Sequence, residues 1–137
     1  MIIVDTNVLS ELMRPNPSDR VRAWVDDQRP SSVYTTAITV AEILYGIERL
    51  PDGKRKEGFT AAASDLFTVF RDRVLAFDDR ASRNHASIVS QSEKLGVQID
   101  GFDAQIAAIC SVHNAVLATR NTKDFEHLSV PLINPWN

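Results

Sequence analysis

Short β-like runs alternate with longer segments of helical periodicity along the whole chain. The first run, Ile2-Ile3-Val4, is wholly apolar, as expected for a strand that is buried on both faces of a parallel sheet. The other predicted strands are Val33 to Thr36, Val74 to Ala76, Ala115 to Ala118 and Val130 to Ile133. The β-α-β alternation predicts one α/β domain, with a central, mostly parallel sheet of about five short strands flanked by about seven helices.

Length and composition fit a single domain over residues 1–137, of which 44% are hydrophobic. A chain of this size buries enough surface to form a core without covalent staples. The single cysteine, Cys110, cannot form an internal disulfide, so we expect a cytoplasmic protein. Three scattered histidines make a poor zinc site, and no apolar run approaches the ~20 residues that span a bilayer. We therefore expect no role in a membrane.

Acidic residues follow several of the predicted strands. Asp5 comes directly after the first strand, and Glu42 falls in what the pattern predicts to be the first turn of the third helix. Asp103 lies in the first turn of the sixth helix, and Asp124 follows the strand that ends near Thr119. Ligands of open parallel sheets bind beyond the carboxyl ends of the strands. Four carboxylates could therefore converge at one edge.

The same acids have an alternative interpretation as helix caps. Thr39-Val40-Ala41-Glu42 fits a capping box, in which Glu42 would reach back to the backbone N–H of Thr39. Asp103 comes three residues after Asp100 and Asp124 three after Asn121, so both could be ordinary acids in the first turn of a capped helix. Asp5 could cap the first helix. Spacing alone leaves both interpretations open.

Electrostatics links a converged set of acids to a cation. Two carboxylates ~6 Å apart repel by roughly 2–3 kcal/mol at an effective dielectric constant of 20, and four acids form six such pairs. Protons or a cation would have to offset this repulsion, and ligands that are all oxygen suit Mg²⁺ or Mn²⁺. The formal net charge is −3, from 15 basic and 18 acidic residues. Without the four acids the balance would be 15 − 14 = +1, which is compatible with a nucleic-acid substrate.

Four motifs in a fixed order resemble the PIN-domain nucleases, and most closely the VapC/FitB-type toxins of toxin–antitoxin modules. The motifs are Ile3-Val4-Asp5-Thr6-Asn7-Val8-Leu9, Thr39-Val40-Ala41-Glu42-Ile43 followed by Gly46, Asp103-Ala104-Gln105-Ile106-Ala107-Ala108, and Thr119-Arg120-Asn121 with Asp124-Phe125. The likeness runs to the terminal Ile133-Asn134-Pro135-Trp136. It implies a metal-dependent ribonuclease that hydrolyses RNA with one or two Mg²⁺ or Mn²⁺ ions.

The resemblance also implies site residues. By position, Asp5, Glu42 and Asp103 match three acids of the family that serve as catalytic residues and metal ligands. Many relatives have an aspartate where this chain has Asn121, so we assign the fourth catalytic and ligating position to Asp124, in the outer part of the site. Substrate-positioning roles would fall to the neighbouring polar residues Thr6, Asn7, Thr119, Arg120 and Asn121.

Partners follow from the same resemblance. Toxins of this type pair with a small antitoxin protein that covers the acidic site, and they commonly form homodimers. Apolar residues of the early helices are candidates for the antitoxin groove or for the core, and periodicity does not separate the two interpretations. The candidates are Leu9, Leu12, Trp24 and Ile47.

Three other functions compete with the nuclease. A receiver domain would need an aspartate at the end of the third strand, where this chain has Ala76, and a phosphatase of the haloacid-dehalogenase type would need an acid at Asn7. A catalytically inert PIN-like module that binds RNA or protein is the remaining alternative. The complete set of acids favours the enzyme.

Overall fold

A computed structural model describes all 137 residues and contains five strands, six α-helices and two 3-10 turns. The strands are β1 (Ile2–Val4), β2 (Val33–Thr36), β3 (Val74–Leu75), β4 (Val116–Ala118) and β5 (Leu132–Ile133). The helices are α1 (Thr6–Leu12), α2 (Asp19–Asp26), α3 (Ala37–Glu48), α4 (Lys54–Val69), α5 (Asp79–Lys94) and α6 (Gly101–His113). The 3-10 turns are Pro30–Ser32 and Thr122–Asp124.

All strands are parallel, in the order β3-β2-β1-β4-β5. β1 occupies the centre, and Ile2 pairs with Val33 on one side and with Val116 on the other. The chain winds from β1 outward through β2 and β3, and then crosses to the opposite side for β4 and β5. The reversal falls between β1 and β4. Crevices at such switch points are the usual ligand sites of open α/β sheets, which directs attention to the ends of these two strands.

Helices cover both faces of the sheet, as the sequence predicted. Successive side chains of a strand point to opposite faces, so Ile3 belongs to one core cluster and Val4 to the other. The Ile3 cluster contains Ile106 and Ile109 of α6, and the Val4 cluster contains Val8 of α1. The predicted α/β fold is confirmed. None of the helices combines the length and the apolarity that crossing a membrane requires.

The outer strands are shorter than the β-branched runs suggest. β5 spans two residues instead of the predicted Val130 to Ile133, because Pro131 has no backbone N–H to donate to a ladder. Its carbonyl still accepts a hydrogen bond from the backbone N–H of Leu117, at 2.8 Å. Helix α5 ends just before Gly96, which adopts a left-handed φ of 71°.

Candidate active site

Asp5 lies at the carboxyl end of β1 and is only 3% exposed. Its Oδ1 accepts a hydrogen bond from the backbone N–H of Thr6 at 2.8 Å. Its Oδ2 accepts one from Thr119 Oγ1 at 2.7 Å and one from Asn7 Nδ2 at 3.2 Å. Burial raises the pKa of Asp5 above its ordinary value, against the lowering effect of these three donors. The carboxylate is therefore held in one orientation by its neighbours.

Glu42 lies in the second turn of α3 and not, as the sequence predicted, in the first turn, and the alternative interpretation as a capping box is wrong. The helix begins three residues earlier than the box requires: Thr36 is the N-cap, and its side chain accepts a hydrogen bond from the backbone N–H of Thr39. In a capping box Glu42 would lie three residues after the cap, but it lies six residues after Thr36, so its carboxylate cannot reach the free N–H groups of the first turn. It is free for another role.

That role is contact with α1. Thr6 Oγ1 donates to Glu42 Oε1 at 2.9 Å and lies 3.1 Å from Thr39 Oγ1. Burial raises the pKa of Glu42 most, and the charges of Asp5 and Asp100 raise it further. The end of β1 and the beginning of α3 thus place two carboxylates on either side of Thr6.

Asp103 lies in the first turn of α6, as predicted. Asp100 is the N-cap, and its Oδ1 accepts hydrogen bonds from the backbone N–H groups of Phe102 and Asp103, at 2.9 and 3.3 Å. Asp100 therefore caps α6, and the Asp103 carboxylate is not needed as a cap.

The neighbouring acids also act on the pKa of Asp103. Partial burial raises this pKa most, and the negative charges of four carboxylates add to the effect, to give a value of about 7. These four are Asp5, Asp100, Asp124 and Glu42. Acids from β1, α3, α6 and the turn after β4 therefore lie at one edge of the sheet.

Asp124 and Asn121 occupy the outer side of this edge. Both are exposed, and they lie at the end and the N-cap of the turn Thr122–Asp124. The charge of Asp124 raises the pKa of Asp5 as well as that of Asp103. The Asn121 side chain caps nothing, while its backbone N–H donates to Thr119 Oγ1 at 3.1 Å. Asp124 and Asn121 are therefore more exposed than Asp5.

Polar residues join the ends of β1 and β4. Asn7 Nδ2 donates to Thr119 Oγ1 at 3.1 Å, and Asn7 Oδ1 accepts from the backbone N–H of Arg120 at the same distance. Thr119 has no exposed surface, so it is placed to orient Asp5 and its neighbours. Arg120 and Asn121, in contrast, reach solvent.

The donor set fits a hard divalent cation, although the side chains do not close around one point. No three His, Cys, Asp or Glu side chains of the chain form a ready cage for an ion. The neighbouring acids raise the pKa of Asp103 by mutual repulsion, and a cation is what would offset this repulsion. Carboxylates without histidine or thiolate suit Mg²⁺ or Mn²⁺ rather than zinc.

Two contributors to the site escaped the sequence analysis. Asp100 was interpreted only as a possible cap, yet its charge acts on both Glu42 and Asp103. Thr36 was assigned to β2, although it caps the helix that carries Glu42. A hydroxyl three residues before Thr39 was the available signal for Thr36, since Thr is a favoured N-cap residue.

Comparison with known proteins gives one consistent family. The profile of the PIN domain matches residues 2–131. VapC ribonuclease Y4jK of Sinorhizobium fredii is 40% identical over 137 residues, which cover 99% of this chain and 98% of the relative. Toxin FitB of Neisseria gonorrhoeae is 38% identical, with 100% and 99% of the two chains covered. A chain in the structure of FitAB bound to a DNA fragment superposes with a TM-score of 0.92 at 38% identity, covering 100% of this chain and 96% of its own. The chain therefore belongs to the PIN domain family, alongside the VapC and FitB proteins.

Proposed function

We propose that the chain is a metal-dependent endoribonuclease and the toxin of a toxin–antitoxin pair, with residues 1–137 as one nuclease domain. Asp5, Glu42, Asp103 and Asp124 are its catalytic and metal-ligating residues. The observation that carries the proposal is the meeting of these four acids at the switch point of the sheet, where Asp103 feels the charge of the other three. The names of the relatives VapC ribonuclease Y4jK and Toxin FitB support the activity.

The four carboxylates differ in how firmly hydrogen bonds hold them. Asp5 is fixed by its three donors, and Glu42 is oriented by Thr6. The Asp103 carboxylate is left free by the Asp100 cap, and Asp124 is exposed. A rigid inner acid with more mobile partners can bind a cation without rebuilding the fold.

The proposed cofactor is Mg²⁺ or Mn²⁺, because the ligands are all carboxylates. When bound, such an ion supplies an activated water and offsets the negative charge that develops on a phosphodiester during hydrolysis. Asn7 and Thr119 hold Asp5 for this task, and Thr6 does the same for Glu42. The exposed Arg120 and Asn121 are then placed to contact the RNA.

A small antitoxin protein is the proposed partner. A groove of about 290 Å³, lined by Glu42 and by both apolar and polar residues, offers a place for it. Its lining includes Thr6, Ser10, Met13, Gly46, Leu50 and Phe59. Of the candidates named from periodicity, Leu9 has no exposed surface and belongs to the core, while Ile47, 6% exposed, also borders the groove. The proposed site of action is the cytoplasm, where RNA and the antitoxin are available.

A homodimer is a separate proposal. Leu95 and Phe102, which flank the connection from α5 to α6, are 64% and 49% exposed. Large exposed apolar side chains favour contact with another protein surface where they form one patch. Sedimentation of the isolated chain, compared with that of a variant carrying Leu95→Glu and Phe102→Glu, tests it. A monomeric parent would refute the homodimer.

The activity is tested by incubating the purified chain with total cellular RNA, in Mg²⁺ or Mn²⁺ and in excess EDTA. We expect discrete cleavage products that require the metal and disappear in Asp5→Asn and Asp103→Asn. Asp65→Asn, an exposed acid on α4, is the matched control and should cleave like the parent. RNA binding without cleavage in either metal would instead support the inert PIN-like module.

A further inference from the structure

Arg120 is a cation at the rim of the acidic site that forms no ion pair. Its backbone N–H donates to Asn7 Oδ1 at 3.1 Å, and Asn7 in turn donates to Asp5. The guanidinium is nevertheless absent from the three ion pairs of the chain, which involve Arg14, Lys56 and Arg83. A flexible cation beside several carboxylates would be expected to fold onto one of them.

The Trp136 ring holds this guanidinium. The Arg120 Cζ lies 5.0 Å from the ring centroid, the shortest of four cation–π contacts in the chain. A guanidinium over an indole face gains electrostatic and dispersion energy, and stacking leaves its N–H donors free at the edge. Trp136 therefore keeps Arg120 in one place and leaves its N–H donors available for another partner.

Trp136 is itself fixed on the folded domain. The half-buried ring packs against the core cluster that contains Val4 and Val8. Its backbone N–H donates to Asn134 Oδ1 at 2.9 Å. The backbone N–H of Thr119 donates to Ile133 O at 2.9 Å, so the turn after β5 lies beside the end of β4. A ring anchored in this way supports Arg120 at the same edge as Asp5.

We propose that Trp136 is a positioning residue that holds Arg120 as a contact for a phosphate of the substrate strand, next to the cleaved phosphodiester. This inference rests on the proposed nuclease function. Four carboxylates repel the polyanionic substrate, and a fixed guanidinium with free donors at their rim offers a charge-assisted hydrogen bond to it. Trp136 acts only through Arg120 and touches no reacting atom.

The first test measures RNA binding, independently of cleavage. In an Asp103→Asn background, a fluorescent single-stranded RNA of mixed sequence is titrated at several salt concentrations. Each phosphate contact contributes about 0.7 to the slope of log K against log[salt] for single strands. We expect Arg120→Gln and Trp136→Leu each to reduce the slope by about 0.7, Trp136→Phe to retain it, and the double variant to lose no more than either single variant.

The second test measures cleavage of a short RNA that contains a cleavage site identified in the total-RNA assay. Arg120→Gln and Trp136→Leu should raise KM roughly five- to tenfold with kcat within about twofold. Trp136→Phe should keep KM close to the parental value. Arg49→Gln is the matched control, because Arg49 stacks on Tyr45 at 5.6 Å but lies two helical turns beyond Glu42. It should change neither KM nor the salt slope.

The outcomes separate this inference from the proposed function. An unchanged slope and KM in Arg120→Gln would overturn the phosphate contact, and this variant leaves the core intact. A Trp136→Leu variant that melts lower but keeps the parental slope would show that Trp136 is only a packing residue. A parent that neither cleaves total RNA nor binds the probe would overturn the proposed function, and this inference with it.

Discussion

Thr119 shows how a single hydroxyl can organise an acidic site. Its Oγ1 donates to Asp5 and accepts from Asn7 and from the backbone N–H of Asn121. It has no exposed surface, so water cannot replace it. When a buried carboxylate oxygen loses its hydrogen-bond donor, the free energy lost by removing it from water is no longer compensated, and the fold is destabilised.

We therefore expect Thr119→Val, which preserves the shape of the side chain, to lower the free energy of unfolding by roughly 1.5–3 kcal/mol. RNA cleavage should fall at least tenfold, because Asp5 loses its shortest hydrogen bond. Urea unfolding and a cleavage assay check the two effects. Thr68→Val, an exposed threonine on α4, is the control. If Thr119→Val had the same free energy of unfolding as the parent, the hydrogen bond from Thr119 to Asp5 would not stabilise the fold.

Asp103 predicts how the metal-free protein responds to pH. Its pKa of about 7 in the folded state lies above the ordinary value of 3.8, so the folded state binds this proton more tightly than the unfolded chain. The contribution of Asp103 to stability is therefore full below about pH 4 and is lost as pH rises through about 7. We expect the difference in Tm between pH 5 and pH 8, in EDTA, to be smaller in Asp103→Asn than in the parent.

The control for this pH dependence is Asp65→Asn, which removes an exposed acid of α4. It should retain the parental difference between pH 5 and pH 8. Identical differences in the parent and in Asp103→Asn would mean that the acids do not crowd Asp103 in solution.

At the scale of the element, the start of α3 decides where Glu42 points. Thr36 ends β2 and also caps α3, so no loop separates strand and helix. Its Oγ1 accepts from the backbone N–H of Thr39 at 3.1 Å. A cap at Thr39 would have left Glu42 in the first turn, occupied with backbone donors. The early cap instead places Glu42 beside Thr6.

We expect Thr36→Ala to destabilise the domain by about 1 kcal/mol and to lower Tm by several degrees, because α3 loses its cap. Thr36→Ser retains the hydroxyl and should stay close to the parent. Differential scanning calorimetry measures both variants. A Tm for Thr36→Ala equal to that of Thr36→Ser would argue against the cap.

At the scale of the whole molecule, the parallel sheet brings negatively charged side chains together, and burial of the two core clusters offsets their repulsion. Ile106 and Ile109 of α6 are fully buried, and they hold Asp103 near the acids of β1 and α3. A cation that binds only the folded state should raise the free energy of unfolding, because it offsets part of this repulsion.

We expect ~10 mM Mg²⁺ or Mn²⁺ to stabilise the parent by about 1.4 kcal/mol if the dissociation constant is near 1 mM, which raises Tm by roughly 3–5 °C. Asp5→Asn and Glu42→Gln should lose this shift. Without metal, Glu42→Gln should melt at or above the parental temperature, because one repelling charge is gone and Gln retains the oxygen that accepts from Thr6. Equal metal shifts in all three proteins would contradict the proposed ligands.

The sequence by itself determined the features that depend on neighbouring residues. Apolar runs and helical periodicity gave the order of strands and helices, and Asp5 and Asp103 were located beyond strand ends or at a helix start. These patterns report local conformation and burial, which residues a few positions apart decide. For the same reason the start of α3 was misplaced, because Thr36 and Thr39 are both acceptable caps on local grounds.

Only the tertiary structure decided which distant residues meet. Thr119 lies 114 positions from the aspartate that it orients, and Thr6 lies 36 positions from Glu42. The strand order brings these pairs together, and no local pattern encodes that order. The same holds for Trp136, whose place in the terminal motif Ile133-Asn134-Pro135-Trp136 does not tell which residues it contacts. Packing against one core and stacking on Arg120 are contacts between chain segments, so they exist only once the sheet has assembled.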